Sequence, residues 1–173
     1  MASNMYQHLA RVWLVMAMIG LFASATEAFG NNRFCKTSDY KQICNLMVKD
    51  ANNWHDATRN AIQSSIDVAV TLQKMTPTLD KALGRLPGNS KDSTTSTCKE
   101  TFDNTVDDLK QCLKFLDNND TASLNIHLSA ATSVTDCQDA FQESGAELPP
   151  RVAKITEELS KYVSNCLAVS EQT

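Results

Sequence analysis

The chain has 173 residues, of which 42% are hydrophobic and 21% charged, with a formal net charge of −4. That length suits one ordinary domain with a core of its own. An acidic balance without a clustered basic face argues against nucleic-acid binding.

In chain order, the opening residues read as a targeting segment. Arg11 closes a short polar start, Val12 to Ala25 is apolar and uncharged, and Ala23, Ser24 and Ala25 supply the small residues that signal peptidase needs. The apolar run is about 14 residues against the roughly 20 needed to span a bilayer, so a signal peptide over 1–25 is expected rather than an anchor, with Ala28 as the second cleavage point. The product, residues 26–173, is expected to be secreted and free of the membrane. Losing Arg11 makes its charge one unit more negative.

All six cysteines, Cys35, Cys44, Cys98, Cys112, Cys137 and Cys166, lie beyond that segment. An even count in an exported chain points to disulfides, and the spacings alone leave fifteen pairings open. A zinc site is disfavoured, because no C-x2-C pair occurs and neither His55 nor His127 has a cysteine at ligand spacing.

Beyond Gly30, apolar residues recur at steps of three and four, the period of amphipathic helices, and no strand is expected. Phe34 to Val48 is too short for a full bundle helix and reads as a helical extension closed on itself by Cys35 and Cys44. A first long helix carries Trp54, Ala57, Ala61, Ile62, Ile66, Ala69, Leu72, Met75, Leu79, Leu83 and Leu86 on one stripe, ending at Pro87 and Gly88. Pro77 either kinks this helix or splits it with Thr76 as a cap. The stripe keeps its phase, which favours the kink. Asn89 to Thr97 reads as a polar linker.

The second helix points Cys98, Phe102, Thr105 or Val106, Leu109, Cys112 and Leu116 inward. A turn over 117–120 leads to a third, with Leu124, His127 or Leu128, Ala131, Val134, Cys137 and Phe141, ending at Gly145. Pro149 and Pro150 open a fourth, with Val152, Ile155, Leu159, Tyr162 or Val163, Cys166 and Val169. Short connections force consecutive helices to be antiparallel neighbours, so the expected fold is all-α, an up-down-up-down four-helix bundle with the short extension at its amino end.

No catalytic constellation emerges. Asp107 and Asp108, like Glu157 and Glu158, are adjacent on a helix and point in different directions. His127 lies at the edge of an apolar stripe, and no Gly-rich loop can cradle a phosphate. No cofactor is expected. Asn119, Asp120 and Thr121 form an N-x-T sequon on the second turn, so Asn119 is a candidate N-glycan acceptor, while Asp120 or Asn119 can also cap the third helix.

The placement of the cysteines resembles the plant invertase and pectin methylesterase inhibitor family. Cys35, Tyr40 and Cys44 match the opening C-x4-Y-x3-C, with Lys41 where many members have proline. Cys98, Glu100, Phe102, Val106 and Leu109 are similar to C-x-E-x-Y-x2-A-V-x2-L, with Phe102 for tyrosine. Leu128, Ser129, Ala130 and Ala131, then Cys137, Asp139 and Phe141, resemble L/V-S-A-A leading to T-C-x-D-x-F. Two departures stand out: Asp136 replaces the usual threonine, and the stretch between Ser129 and Cys137 is a residue short. A missing residue rotates the downstream part of a helix by about 100°, so either the helix is distorted there or the Ser-Ala-Ala face is turned.

The resemblance implies disulfides Cys35–Cys44 and Cys98–Cys137, the second worth roughly 3 to 4 kcal/mol. Cys112 and Cys166 fall outside the pattern, on helices that face each other across the bundle diagonal, and are expected as buried thiols rather than a third bridge. It further implies an inhibitor that covers the active-site cleft of a pectin methylesterase in a one-to-one complex, in the cell wall, with Ser129 and Thr132 as candidate contacts. Ser129 and its alanines can instead serve close helix packing. An acid invertase is the second candidate partner, with the vacuole as a further location, although no Pro-Lys-Phe tripeptide occurs. A diverged recognition module is the third reading.

Overall fold

A computed structural model describes residues 32–172; the expected signal peptide lies outside the described residues. The elements are α1 (Lys41–Val48), α2 (Trp54–Gln73), α3 (Thr76–Ala82), α4 (Gly88–Asp117), α5 (Thr121–Ala130), α6 (Asp136–Ser144) and α7 (Pro150–Ser170), with 3-10 turns at Arg33–Cys35 and Ala131–Thr135. No strand occurs among the described residues.

Four layers of helix form a ring. α2 packs on α4, α4 on α5 and α6, the third layer on α7, and α7 back on α2, which is the up-down-up-down bundle. The buried side chains are those the stripes point inward. Phe102, Leu109, Cys112 and Leu116 come from α4, Leu124 and Leu128 from α5, and Val152, Leu159 and Val163 from α7. Ile155 and Tyr162 only flank the core, and three polar residues of α7, Thr156, Asn165 and Ser170, are buried.

The first long helix is broken rather than kinked. α2 stops at Gln73, a two-residue turn follows, and α3 starts at Thr76 with Pro77 in its first turn. Pro77 has no N–H to offer the carbonyl of Gln73 and its ring crowds that carbonyl. The Thr76 hydroxyl takes over, donating to Gln73 O at 2.7 Å. Thr76 therefore serves the helix before it and does not cap the one after, whose N-cap is Met75. Leu79 and Leu83 remain fully buried, so the apolar phase survives the break.

The expected linker Asn89–Thr97 is helical: α4 begins at Gly88, directly after Pro87. Serine and threonine cost only tenths of a kcal/mol per residue in a helix, which contacts can offset. Here α3 packs against α4, Thr94 is buried, and Asp80 meets Lys91 at 3.8 Å and Thr95 at 3.3 Å.

The third helix is three pieces, α5, a 3-10 segment of five residues and α6. A 3-10 helix turns about 120° per residue against about 100° for an α-helix. Five such residues over-rotate by about 100°, the turn of one α-helical residue. The distortion thus restores the phase that a one-residue shortening removes, and Ala131, Val134, Cys137 and Phe141 all stay in the core.

The turn after α4 is a Schellman closure. Asn119 sits at φ 56, its N–H bonds Leu116 O at 3.1 Å, and the N–H of Asp120 bonds Phe115 O at 2.9 Å. Asp120 then caps α5 through Ser123 N at 3.0 Å; hydrogen bonding by the Ser123 side chain first, and then by its N–H, holds the carboxyl below the usual range.

Candidate partner-binding surface

The disulfides of the structure are Cys35–Cys44 and Cys98–Cys137, the pairs the resemblance implies. Cys112 and Cys166 are buried free thiols. Both are pushed up to about 12, by desolvation first of all, and are inert at neutral pH. Cys166 contacts the Ser65 hydroxyl at 3.1 Å, and Cys112 donates to Leu124 O at 3.7 Å.

Several of the remaining titratable groups make local surface pairs. Glu157 meets Lys161 at 2.6 Å and Asp107 meets Lys110 at 4.0 Å. The Lys161 hydrogen bond holds the Glu157 carboxyl below its usual range. His127 Nδ1 lies 2.7 Å from Asp108 and its ring stacks on Phe115 at 5.0 Å. His55 stands 3.9 Å from Asp117, which also binds Arg59. Among the described residues no three His, Cys, Asp or Glu side chains are grouped to hold a metal. None of these pairs presents a nucleophile with its base.

Ser129 and Thr132 are both exposed, where α5 passes into the 3-10 segment. Their hydroxyls donate inward along the helix, Ser129 to Asn125 O at 2.8 Å and Thr132 to Ser129 O at 2.6 Å. Each keeps its acceptor lone pairs toward solvent. The small residues divide: Ala131 is fully buried and permits close packing, while Ala130 faces out. Ile126 is 67% exposed on the same helix.

A groove of about 450 Å³ runs between the amino-terminal part of α4 and the length of α6. One wall is Ser90, Ser93, Thr94 and Thr97, and the other carries Asp136, Asp139 and Glu143. Each set recurs at steps of three and four, so each lies on one helix face. The Cys98–Cys137 bridge, with 4.4 Å between Cα atoms, adjoins Thr97 and Asp136 and pins the walls together at that end. Sequence reasoning passed over this groove because its serine and threonine wall read as a linker. The signal available was the three-and-four spacing of Ser90, Ser93, Thr94 and Thr97, the pattern used for the apolar stripes.

Among protein families, the plant invertase/pectin methylesterase inhibitor family matches residues 31–169. No curated protein matches the chain. Among solved structures, a mutant form of a pectin methylesterase inhibitor from Arabidopsis superposes with a TM-score of 0.65 at 14% identity, over 81% of this chain and 94% of that one. A pectin methylesterase inhibitor from Arabidopsis thaliana gives 0.60 at 15% identity, over 84% of this chain and 97% of that one.

Proposed function

The chain belongs to the plant invertase/pectin methylesterase inhibitor family, and from that premise we propose that it inhibits a pectin methylesterase by forming a one-to-one complex over the enzyme's active-site cleft. Family membership supports an inhibitor-type role rather than a catalytic one, and the fold is the one seen in pectin methylesterase inhibitors.

The observation that carries the reading is the family match across the whole bundle, 31–169. Its physical counterpart is a pre-ordered surface. Ser129 and Ile126 project from α5 and Thr132 from the 3-10 segment after it, in a register fixed by the core, and Cys98–Cys137 ties α4 to α6. A surface already held in shape loses little conformational entropy on binding. No described helix is long and apolar enough to cross a membrane, which is compatible with action as a secreted protein of the cell wall.

Acid invertase is the second candidate target, since the family's description spans both enzymes. An N-glycan on Asn119 belongs to the same proposal: the residue is exposed at a turn, about 15 Å along the helix from Ser129 at 1.5 Å per residue, so a sugar there leaves the contact strip open. A mobility shift on glycosidase treatment of the plant-expressed protein tests it.

Refolded, oxidised protein should abolish one enzyme's activity at equimolar ratio in assays against purified plant pectin methylesterases and acid invertases. Full activity of every isoform at a tenfold excess of the protein would sink the inhibitor reading.

A further inference from the structure

We propose that the α4/α6 groove is the seat of an arginine side chain from the partner enzyme, with Asp136 as the residue that sets this preference; the inference rests on the inhibitor reading above.

Charge comes first. Asp136, Asp139 and Glu143 line one wall, and no lysine or arginine among the described residues pairs with any of them. The lysines flanking the opposite wall are engaged elsewhere: Lys91 with Asp80 at 3.8 Å and Lys99 with Asp103 at 2.5 Å. Three exposed carboxylates on one wall give the groove a negative potential, and focusing in a cleft strengthens the attraction for a cation.

The second observation is independent of charge. Thr94 is only 5% exposed and lines the groove, yet its hydroxyl bonds no group among the described residues. Its oxygen is absent from the fully enclosed unpaired atoms, which are those of Thr58 and Thr156, so the small accessible part of the residue includes the hydroxyl facing the groove. Buried hydroxyls normally find partners, and this one has the groove alone to find one in.

Together the walls select guanidinium over ammonium. A guanidinium carries five donors in a planar fork that carboxylates accept in pairs, whereas an ammonium offers three from a point. The acidic wall accepts on one side of such a fork, and the hydroxyls of Thr94, Thr97 and Ser90 accept on the other. Asp136 replaces the threonine of the family pattern and lies next to the bridge that fixes both walls. With Asp139 and Glu143 it gives the groove three exposed carboxylates, which favour a cationic occupant.

The test uses refolded, oxidised chain against whichever enzyme the unmodified protein inhibits. Asp136→Asn, Asp139→Asn and Glu143→Gln should each weaken inhibition roughly tenfold, the loss of one charged contact, and should flatten its salt dependence. Asp50→Asn, at the opposite end, should change neither. Unaltered inhibition by all three groove variants overturns the groove assignment and leaves the inhibitor reading standing. Should the unmodified protein inhibit nothing, that reading falls alone, and the groove is tested by NMR titration with an acetylated, amidated arginine dipeptide and its lysine counterpart. Saturable shifts confined to 90–97 and 136–144, stronger with arginine and lost in the triple variant, support the assignment. Shifts that are absent, spread over the acidic surface, or equal for the two peptides refute it.

Discussion

At the end of the bundle that carries residues 32–51, polar side chains turn inward and bind the chain itself, whereas at the opposite end the three carboxylates and the Thr94 hydroxyl of the α4/α6 groove have no partner among the described residues. Asn165 is fully buried in α7; its carbonyl accepts from the Ser38 hydroxyl and its amide donates to Tyr40 O at 3.3 Å. Gln172 donates to Phe34 O at 2.6 Å, and the Trp54 indole to Val169 O at 3.2 Å. Each of these bonds fastens the amino-terminal extension or the start of α2 to the last helix or to the residues just after it. The groove end has a disulfide, three unpaired carboxylates and the unpartnered Thr94 hydroxyl. Polar groups that satisfy each other hold a fold, and polar groups left unsatisfied in a concavity are available to a second molecule.

The largest expected effect comes from unbridging the groove. Replacing Cys98 and Cys137 together by alanine should cost about 3 to 4 kcal/mol in urea unfolding, against about 2.5 to 3 kcal/mol for the shorter loop of Cys35 and Cys44. Only the first pair should also abolish inhibition by protein that remains folded. Equal effects of the two pairs on inhibition would erase the contrast between the ends.

Next is Asn165→Ala, which removes the acceptor of the buried Ser38 hydroxyl and one of the two donors to Tyr40 O. A loss of about 1 to 3 kcal/mol is expected, with unchanged inhibition per folded molecule. Weaker inhibition at full folding would place the extension in the interface.

Between the ends lie the thiols of Cys112 and Cys166, whose folded pKa of about 12 stands above the ordinary 9.0. Their contribution to stability is complete below about pH 9. Above it the unfolded chain releases protons that the folded chain keeps, so stability falls as pH rises, by up to about 1.4 kcal/mol per pH unit for each thiol. Chemical unfolding at pH 8 and pH 10 should show this fall, and the double variant Cys112→Ala/Cys166→Ala should flatten it. A slope unaffected by the substitutions would mean that the thiols titrate normally in the folded protein.

Smallest in stability is Thr94→Val. Removing an unpartnered hydroxyl should leave unfolding within about 0.5 kcal/mol while weakening inhibition several-fold. A substantial loss of stability would show that the hydroxyl has an internal partner.

Legibility in the sequence divides along the same line. The core was readable because burial writes a period: Phe102, Leu109, Leu116 and their counterparts recur every three or four residues whatever surrounds them. The third helix was readable as a stripe, and the residue missing between Ser129 and Cys137 pointed to either a distortion or a turned face there, but nothing in Ala131 to Thr135 marks the change as a 3-10 segment. Asn165 was passed over because a buried asparagine is indistinguishable from an exposed one until its partners, more than a hundred residues away in sequence, are placed beside it. Asn89 to Thr97 was read as linker on local propensity, which packing against α3 overrides. The groove needed all of these at once: a helix where a linker was expected, a bridge to α6, and carboxylates brought opposite hydroxyls.

Hydrogen exchange of the protein alone and in an equimolar mixture with the pectin methylesterase it inhibits tests the central claim most directly. The account predicts new protection over 90–97 and 126–144 with residues 32–51 unchanged; protection confined to 32–51, or none at either end despite inhibition, would contradict it.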